Sequence, residues 1–263
     1  SKLLIDAKAD VNLVNKDGNS ALMFALSKGN NEIAKLLIDA KANLDFVDND
    51  GWSALIFAVS KGNNEIAKLL MENGADVNYK NPDGNTPLLI SSDKAFTDIS
   101  KLLIENGADV NHKNKKGDTL LLIALSKGNN EIAKLLMENG ADVNYKNPDG
   151  NTPLLISSDK AFTDISKLLI ENGADVNHKN KKGDTLLLIA LSKGNNEIAK
   201  LLIENGADVN YKNPDGNTPL LISSDKGFTD ISKLLIENGA KINIKEKMSK
   251  FFSNFLKKIN FSK

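Results

Sequence analysis

The chain has 263 residues, with 34 basic and 34 acidic side chains and no cysteine. Balanced charge gives no global signal for nucleic acid or membrane, and the lack of thiols excludes disulfides and cysteine-based metal or redox chemistry. All 34 basic residues are lysine, and no apolar run is long enough to cross a bilayer as a helix.

Length alone would allow two domains, but an internal period overrides that expectation. Gly18, Gly51, Gly84, Gly117, Gly150, Gly183 and Gly216 are each 33 residues apart. A fixed period in this range marks a stack of supersecondary units. Residues 1–14 read as the second half of such a unit. They open on Ser1-Lys2-Leu3-Leu4-Ile5, in mid-helix and without an initiating Met, so the chain is expected to be a fragment of a longer repeat protein.

Units 15–47 and 48–80 are the most divergent. Lys8 and Lys41 stand where later units place a helix-ending glycine. A side chain in that left-handed position costs about 1 kcal/mol, so these two helix ends are expected to fray or change shape. Trp52, the only tryptophan, follows the turn glycine of the second full unit.

Unit 81–113 shows the logic most clearly. Asn81-Pro82-Asp83-Gly84 has the composition of a type I turn. Thr86 then caps a helix with Pro87 in its first turn, where the missing N–H costs nothing. Leu88, Leu89 and Ile90 make this first helix short and apolar. A second helix starts near Thr97 or Asp98, carries Ile99, Leu102, Leu103 and Ile104 at helical spacing, and ends at Gly107. Ala108-Asp109-Val110-Asn111 runs extended into the next turn. Two helices this short cannot bury their own faces, so neighbours must stack into one core.

From residue 60 onward two unit types alternate. Residues 60–136 are identical to 126–202, so the true period is 66. One type carries Asn-Pro-Asp-Gly and the other Asn-Lys-Lys-Gly. At roughly 9 Å per layer, the same surface recurs about every 18 Å.

The runs Asp83-Gly84-Asn85-Thr86-Pro87-Leu88 and Leu102-Leu103-Ile104-Glu105-Asn106-Gly107-Ala108-Asp109-Val110-Asn111 resemble the ankyrin repeat, and the resemblance extends over nearly the whole chain. It implies an all-α repeat solenoid, 1–245, of stacked helix–turn–helix units with β-turn fingers on one edge. The expected units are a partial repeat at 1–14 and full repeats at 15–47, 48–80, 81–113, 114–146, 147–179, 180–212 and 213–245. It also implies protein binding through the fingers and the inner face of the first helices. The family's Thr-Pro-Leu-His reads Thr-Pro-Leu-Leu or Thr-Leu-Leu-Leu here. The loss of that histidine predicts weak hydrogen bonding between units, with apolar contact left to hold the layers.

Catalysis finds no support. The two histidines, His112 and His178, occupy the same place in units 66 residues apart, too far to share a metal or form a dyad. No nucleophile elbow, Walker loop, zinc-protease or EF-hand spacing appears. The chain is therefore read as a non-enzyme without cofactor or metal. Candidate contact residues form two rows. One is a ladder of rings at the fingers: Phe46, Tyr79, His112, Tyr145, His178 and Tyr211. These either present a contact stripe or pack on neighbouring fingers. The other is a row of lysines at the first-helix ends, among them Lys61, Lys94, Lys127, Lys160 and Lys193. These either steer an acidic protein surface or sit in a solvated surface of mixed charge beside Asp93, Asp159 and Asp225. Trp52 is an interface anchor or a cover for the strained end near Lys41. The absence of arginine argues against nucleic acid.

Residues 246–263 leave the repeat. Met248, Phe251, Phe252, Phe255, Leu256 and Ile259 trace an amphipathic helix, expected to cap the last unit; its lysines also allow an anionic membrane or a docking partner. The sequence thus predicts a monomeric scaffold or adaptor binding another protein, with an acidic surface as one candidate. The alternatives are a module tethered to membrane by its tail, or one joined to an enzymatic or toxin domain outside this stretch. The compartment is left open, with delivery to a host cell as one possibility for a microbial source.

Overall fold

The computed structural model describes residues 3 and 6–242. Among these are fourteen helices in seven pairs, and no strand beyond isolated bridges at the finger bases. The pairs are α1 (Ala21–Ser27) with α2 (Asn31–Asp39), α3 (Ala54–Ser60) with α4 (Asn64–Glu72), α5 (Pro87–Asp93) with α6 (Thr97–Glu105), and α7 (Leu120–Lys127) with α8 (Asn130–Glu138). They continue with α9 (Pro153–Asp159) and α10 (Thr163–Glu171), α11 (Leu186–Lys193) and α12 (Asn196–Glu204), and α13 (Pro219–Asp225) and α14 (Thr229–Glu237). The fold is an all-α repeat solenoid. The expected tail helix at 246–263 lies outside the described residues.

Contacts group into two compact units, Ser1–Pro148 and Asp149–Lys263. Within the first, α1, α3, α5 and α7 pack in succession, as do α2, α4, α6 and α8. Within the second, α9, α11 and α13 form one row and α10, α12 and α14 the other. None of these fourteen helices exceeds nine residues, well short of the roughly 12–15 that an isolated helix needs in water. Stability must come from the apolar faces. Leu121, Leu125 and Leu136 in the first unit and Leu187, Leu191 and Leu202 in the second are at most 1% exposed.

Local chemistry sets the helix boundaries. Thr86 is extended and its hydroxyl accepts from Leu89 N at 3.2 Å, with Pro87 in the first turn. Ser20, Ser53, Thr119, Thr152, Thr185 and Thr218 cap the other first helices in the same way. Second helices differ. Asn30 and Asn63 cap theirs through Oδ1, whereas Phe96, Phe162 and Phe228 make no such bond and leave Asp98, Asp164 and Asp230 to favour the positive helix end.

The expected fraying at Lys41 does not occur. Its φ is +62°, its N–H bonds Ile38 O at 2.9 Å, and Ala42 N bonds Leu37 O at 3.0 Å. Gly107 and Ala108 make the same pair of bonds at the end of α6. Two hydrogen bonds and the burial of Ala42 hold the shape against the steric cost of a Cβ. Lys8, at φ +56°, also keeps the left-handed conformation. Ala95 and Ala161 are strained likewise, at +57° and +56°, in the loop position that other layers give to Gly29, Gly62, Gly128, Gly194 or Gly227.

The contact inside each helix pair comes in two chemistries. In the proline-bearing layers Ser100 Oγ donates to Ser91 Oγ at 2.8 Å, and Ser91 Oγ donates to Leu88 O at 3.1 Å, with both serines fully buried. Ser157 with Ser166 and Ser223 with Ser232 repeat the pair. The other layers replace both partners by alanine: Ala25 with Ala34, Ala58 with Ala67, Ala124 with Ala133, and Ala190 with Ala199.

Two expected outcomes test these points. Lys41→Gly raises stability by about 1 kcal/mol, because glycine enters that φ without strain; urea unfolding checks it, and a loss would contradict it. Ser91→Ala alone costs roughly 1–2 kcal/mol by stranding Ser100, while Ser91→Ala with Ser100→Ala is near neutral. Equal losses in the single and double variants would refute the pairing.

Candidate protein-interaction face

The fingers have no apolar core of their own, and hydrogen bonds to the neighbouring layer replace it. Asn78 Nδ2 donates to Gly107 O at 2.9 Å, and Asn78 Oδ1 accepts from Asp109 N at 2.8 Å. One side chain thereby clasps the backbone of the next finger at two points. Asn111 does the same to Gly140 and Asp142, Asn177 to Gly206 and Asp208, and Asn210 to Gly239 and Lys241. Farther in, Asn129 Nδ2 bonds Ser92 O and Asn195 Nδ2 bonds Ser158 O. The expectation that apolar contact alone holds the layers is therefore wrong. Asparagine amides supply the bonds that the missing histidine does not.

The ring ladder is part of the same scaffold. Tyr145 Oη donates to Gly117 O and Tyr211 Oη to Gly183 O, both at 2.8 Å. His112 Nε2 donates to Gly84 O at 2.9 Å, and His178 Nε2 to Gly150 O at 3.1 Å. A carbonyl can only accept, so each imidazole carries its proton on Nε2. Tyr79 points its hydroxyl toward Gly51 in the same register. All five rings are half-buried. Lys113 and Lys179 lie over the rings of Tyr145 and Tyr211, at 4.3 and 4.2 Å from the centroids. The turn glycines complete the contact. A Cβ on Gly117 or Gly183 would come within 3 Å of the proline ring of the next turn, Pro148 or Pro214. These glycines are needed for close approach as well as for positive φ.

The lysine row at the first-helix ends is exposed but not uniform. Lys127 pairs with Asp93 and Lys193 with Asp159, each one layer back. Lys94 instead donates to Ser60 O at 2.7 Å, because serine occupies the aspartate's place there. Lys61 and Lys160 make no ion pair among the described residues. Trp52 is half-buried and tilts onto Phe57 of its own layer, with centroids 5.2 Å apart. The Lys41 ammonium goes to Asn73 Oδ1 at 3.4 Å. Second-helix surfaces carry mixed ion pairs, such as Lys35 with Glu65 at 2.8 Å. The Glu65 bond, supported by Glu32, outweighs desolvation and raises the Lys35 pKa above its ordinary value.

Sequence reasoning placed these rings and lysines on two edges but missed the asparagine clasp. Its signal was an Asn at the finger and a Gly-Ala-Asp triplet starting 29 residues later. No group of three or more ligating side chains that could hold a metal occurs among the described residues.

Comparison with known families decides the class. A profile of three ankyrin repeats matches residues 1–81, 88–180 and 157–246, and a second ankyrin-repeat profile matches 60–104. The chain belongs to the ankyrin-repeat family. Similar solved structures include the ankyrin-repeat domain of human ASB11, with 27% identity, a TM-score of 0.65, and cover of 86% of this chain and 100% of that one. The ankyrin-repeat domain of Bcl-3, described as a unique member of the IkappaB protein family, has 26% identity and a TM-score of 0.72, covering 83% and 100%. An ankyrin-repeat domain from Acinetobacter baumannii AYE has 31% identity and a TM-score of 0.66, covering 71% and 98%. No curated protein matches the sequence. Ankyrin repeats are in general protein–protein interaction modules, typically non-catalytic.

An ankyrin finger held by two amide bonds makes a direct prediction. Asn111→Ala costs about 1–2 kcal/mol, read from the urea midpoint. Conversely, Asp45 occupies the clasp position of the first full layer, its carboxylate has no N–H to donate, and it makes neither clasp bond, so Asp45→Asn gains stability. Unchanged midpoints in both variants would show that the clasp contributes nothing.

Proposed function

We propose that the chain is a non-catalytic scaffold or adaptor that binds a protein with an acidic surface along its finger tips and first-helix ends. The observation that carries this reading is the exposed lysine row at the first-helix ends, in which Lys61, Lys94 and Lys160 are not neutralised by a carboxylate. Rows of one sign on ordered elements speed encounter with a surface of opposite sign and fix its register. Ordered elements also bind at low entropic cost, and the hydrogen-bonded fingers meet that condition. Lys127 and Lys193 contribute less, since Asp93 and Asp159 already hold them. The rings serve mainly to fix the fingers, with their outer edges left for contact.

The test starts from a partner captured with the intact chain and identified. Lys61→Glu, Lys94→Glu and Lys160→Glu together weaken its binding at least tenfold, a change of about 1.4 kcal/mol, and reduce its salt dependence, while helicity is unchanged. Cross-links map to the fingers and first helices. A footprint confined to the second helices, or affinity indifferent to the triple change, would overturn the proposal.

A further inference from the structure

We infer that the first two full layers hold the principal docking anchor, and that it takes a protein segment in which an aromatic or large aliphatic side chain is flanked by carboxylates. The inference rests on the protein-binding reading above and names where on that face binding concentrates, and to what chemistry.

The anchor is an aromatic patch with free cations beside it. Phe24 on α1 and Phe57 on α3 occupy equivalent positions on neighbouring helices, a place held by Ile90, Ile123, Ile156, Ile189 and Ile222 in the other layers. Trp52, the sole tryptophan, tilts onto Phe57 at 5.2 Å. Phe24 is 56% exposed, although Leu22, Met23, Ala25 and Leu26 around it on α1 are all 5% exposed or less. Phe57 and the isoleucines that hold this place in other layers are half-buried, and Ala21 is exposed where Ala54 is buried, so Phe24 is the exposed member of its row. An exposed large aromatic with a half-buried Trp and Phe next to it has the composition of a binding hot spot.

Charge favours an acidic partner at this spot more than anywhere else along the row. Lys28 and Lys61 lie one helical turn beyond Phe24 and Phe57, and Lys28 sits 5.5 Å from the Phe24 centroid. In later layers Lys127 and Lys193 are held by aspartates one layer back. The corresponding residue behind Lys61 is Ser27, and neither Lys28 nor Lys61 forms an ion pair among the described residues. Between them runs an open groove of about 600 Å³, lined by Lys28, Gly29, Asn31, Lys61, Gly62 and Asn63. A Cβ on Gly29 would meet nothing within 4 Å, so peptide backbone can approach closely there. An apolar side chain on the phenyl rings then places a neighbouring carboxylate on the lysines and its backbone against the amides. An anionic bilayer fits less well, because Asp17, Asp48 and Asp50 line the turns of the same two layers.

The experiment selects peptides from a random displayed library on the full chain. The best are then titrated, using the fluorescence of Trp52 as the signal, with anionic phosphatidylserine vesicles as a second probe. Selected peptides carry Phe, Trp, Leu or Ile next to Asp or Glu. Phe24→Ser with Phe57→Ser weakens them at least tenfold, and so does Lys28→Glu with Lys61→Glu, with helicity and melting unchanged. Lys101→Glu with Lys167→Glu, on exposed second-helix surfaces, leaves them unaffected. Three results would overturn the inference. Peptides that bind the Phe24/Phe57 variant undiminished place the anchor elsewhere and leave the wider protein-binding reading intact. A library that yields no acidic–apolar binder removes the anchor, and the wider reading is then judged by the cross-link footprint alone. Vesicle binding lost in both patch variants, without peptide binding, assigns the patch to lipid.

Discussion

Each layer is too small to stand alone. A pair of helices of seven to nine residues has one apolar side toward the layer before and one toward the layer after. Burying both requires neighbours, so order propagates from layer to layer. The helices meet this requirement with leucine and isoleucine. The fingers cannot, because they have little apolar surface to bury. Their order comes from amide and hydroxyl groups reaching one layer away: the asparagine clasp, the Tyr or His bond to a turn carbonyl, and proline seated on the turn glycine.

That division of labour separates scaffold from available surface. Side chains that look like contact residues by their exposure, such as Tyr145 and His112, are already committed to a carbonyl. Whether a first-helix lysine is neutralised depends on a residue 34 positions earlier, aspartate in some layers and serine in others. The segment that repeats at a 66-residue offset therefore alternates lysines with and without a carboxylate partner. The two divergent layers before it have serine in place of those aspartates and carry the exposed Phe24 beside the half-buried Trp52 and Phe57. Sequence divergence and surface availability coincide at the same end of the first compact unit.

Much of the fold was legible in the sequence. The period, the Thr-Pro helix starts and the glycine-terminated second helices each encode a local backbone preference, and local preferences can be read one residue at a time. The strained lysine at 41 was legible as well, but not its outcome, since the hydrogen bonds that hold it are set by the helix it ends. The asparagine clasp was not legible, because an exposed Asn in an extended finger looks like any loop residue until the layer spacing brings Gly107 and Asp109 to it. The same holds for Ser91 and Ser100: their exchange for Ala124 and Ala133 is visible in the repeats, but the hydrogen bond behind it needs the helix pair in place. At the candidate site, residue types and edges were foreseen. Which lysines are free was not, because pairing across layers depends on distance.

Native-state hydrogen exchange resolved to single amides tests most directly whether neighbouring layers hold the fingers in place. The amides of Asp109, Asp142 and Asp208 lie in exposed fingers and donate only to an asparagine of the preceding layer. They should exchange slowly, with protection close to that of the helix ends beside them, and should lose it when that asparagine alone is replaced. Exchange at the rate of an open loop, or protection that survives the asparagine's removal, would contradict the account.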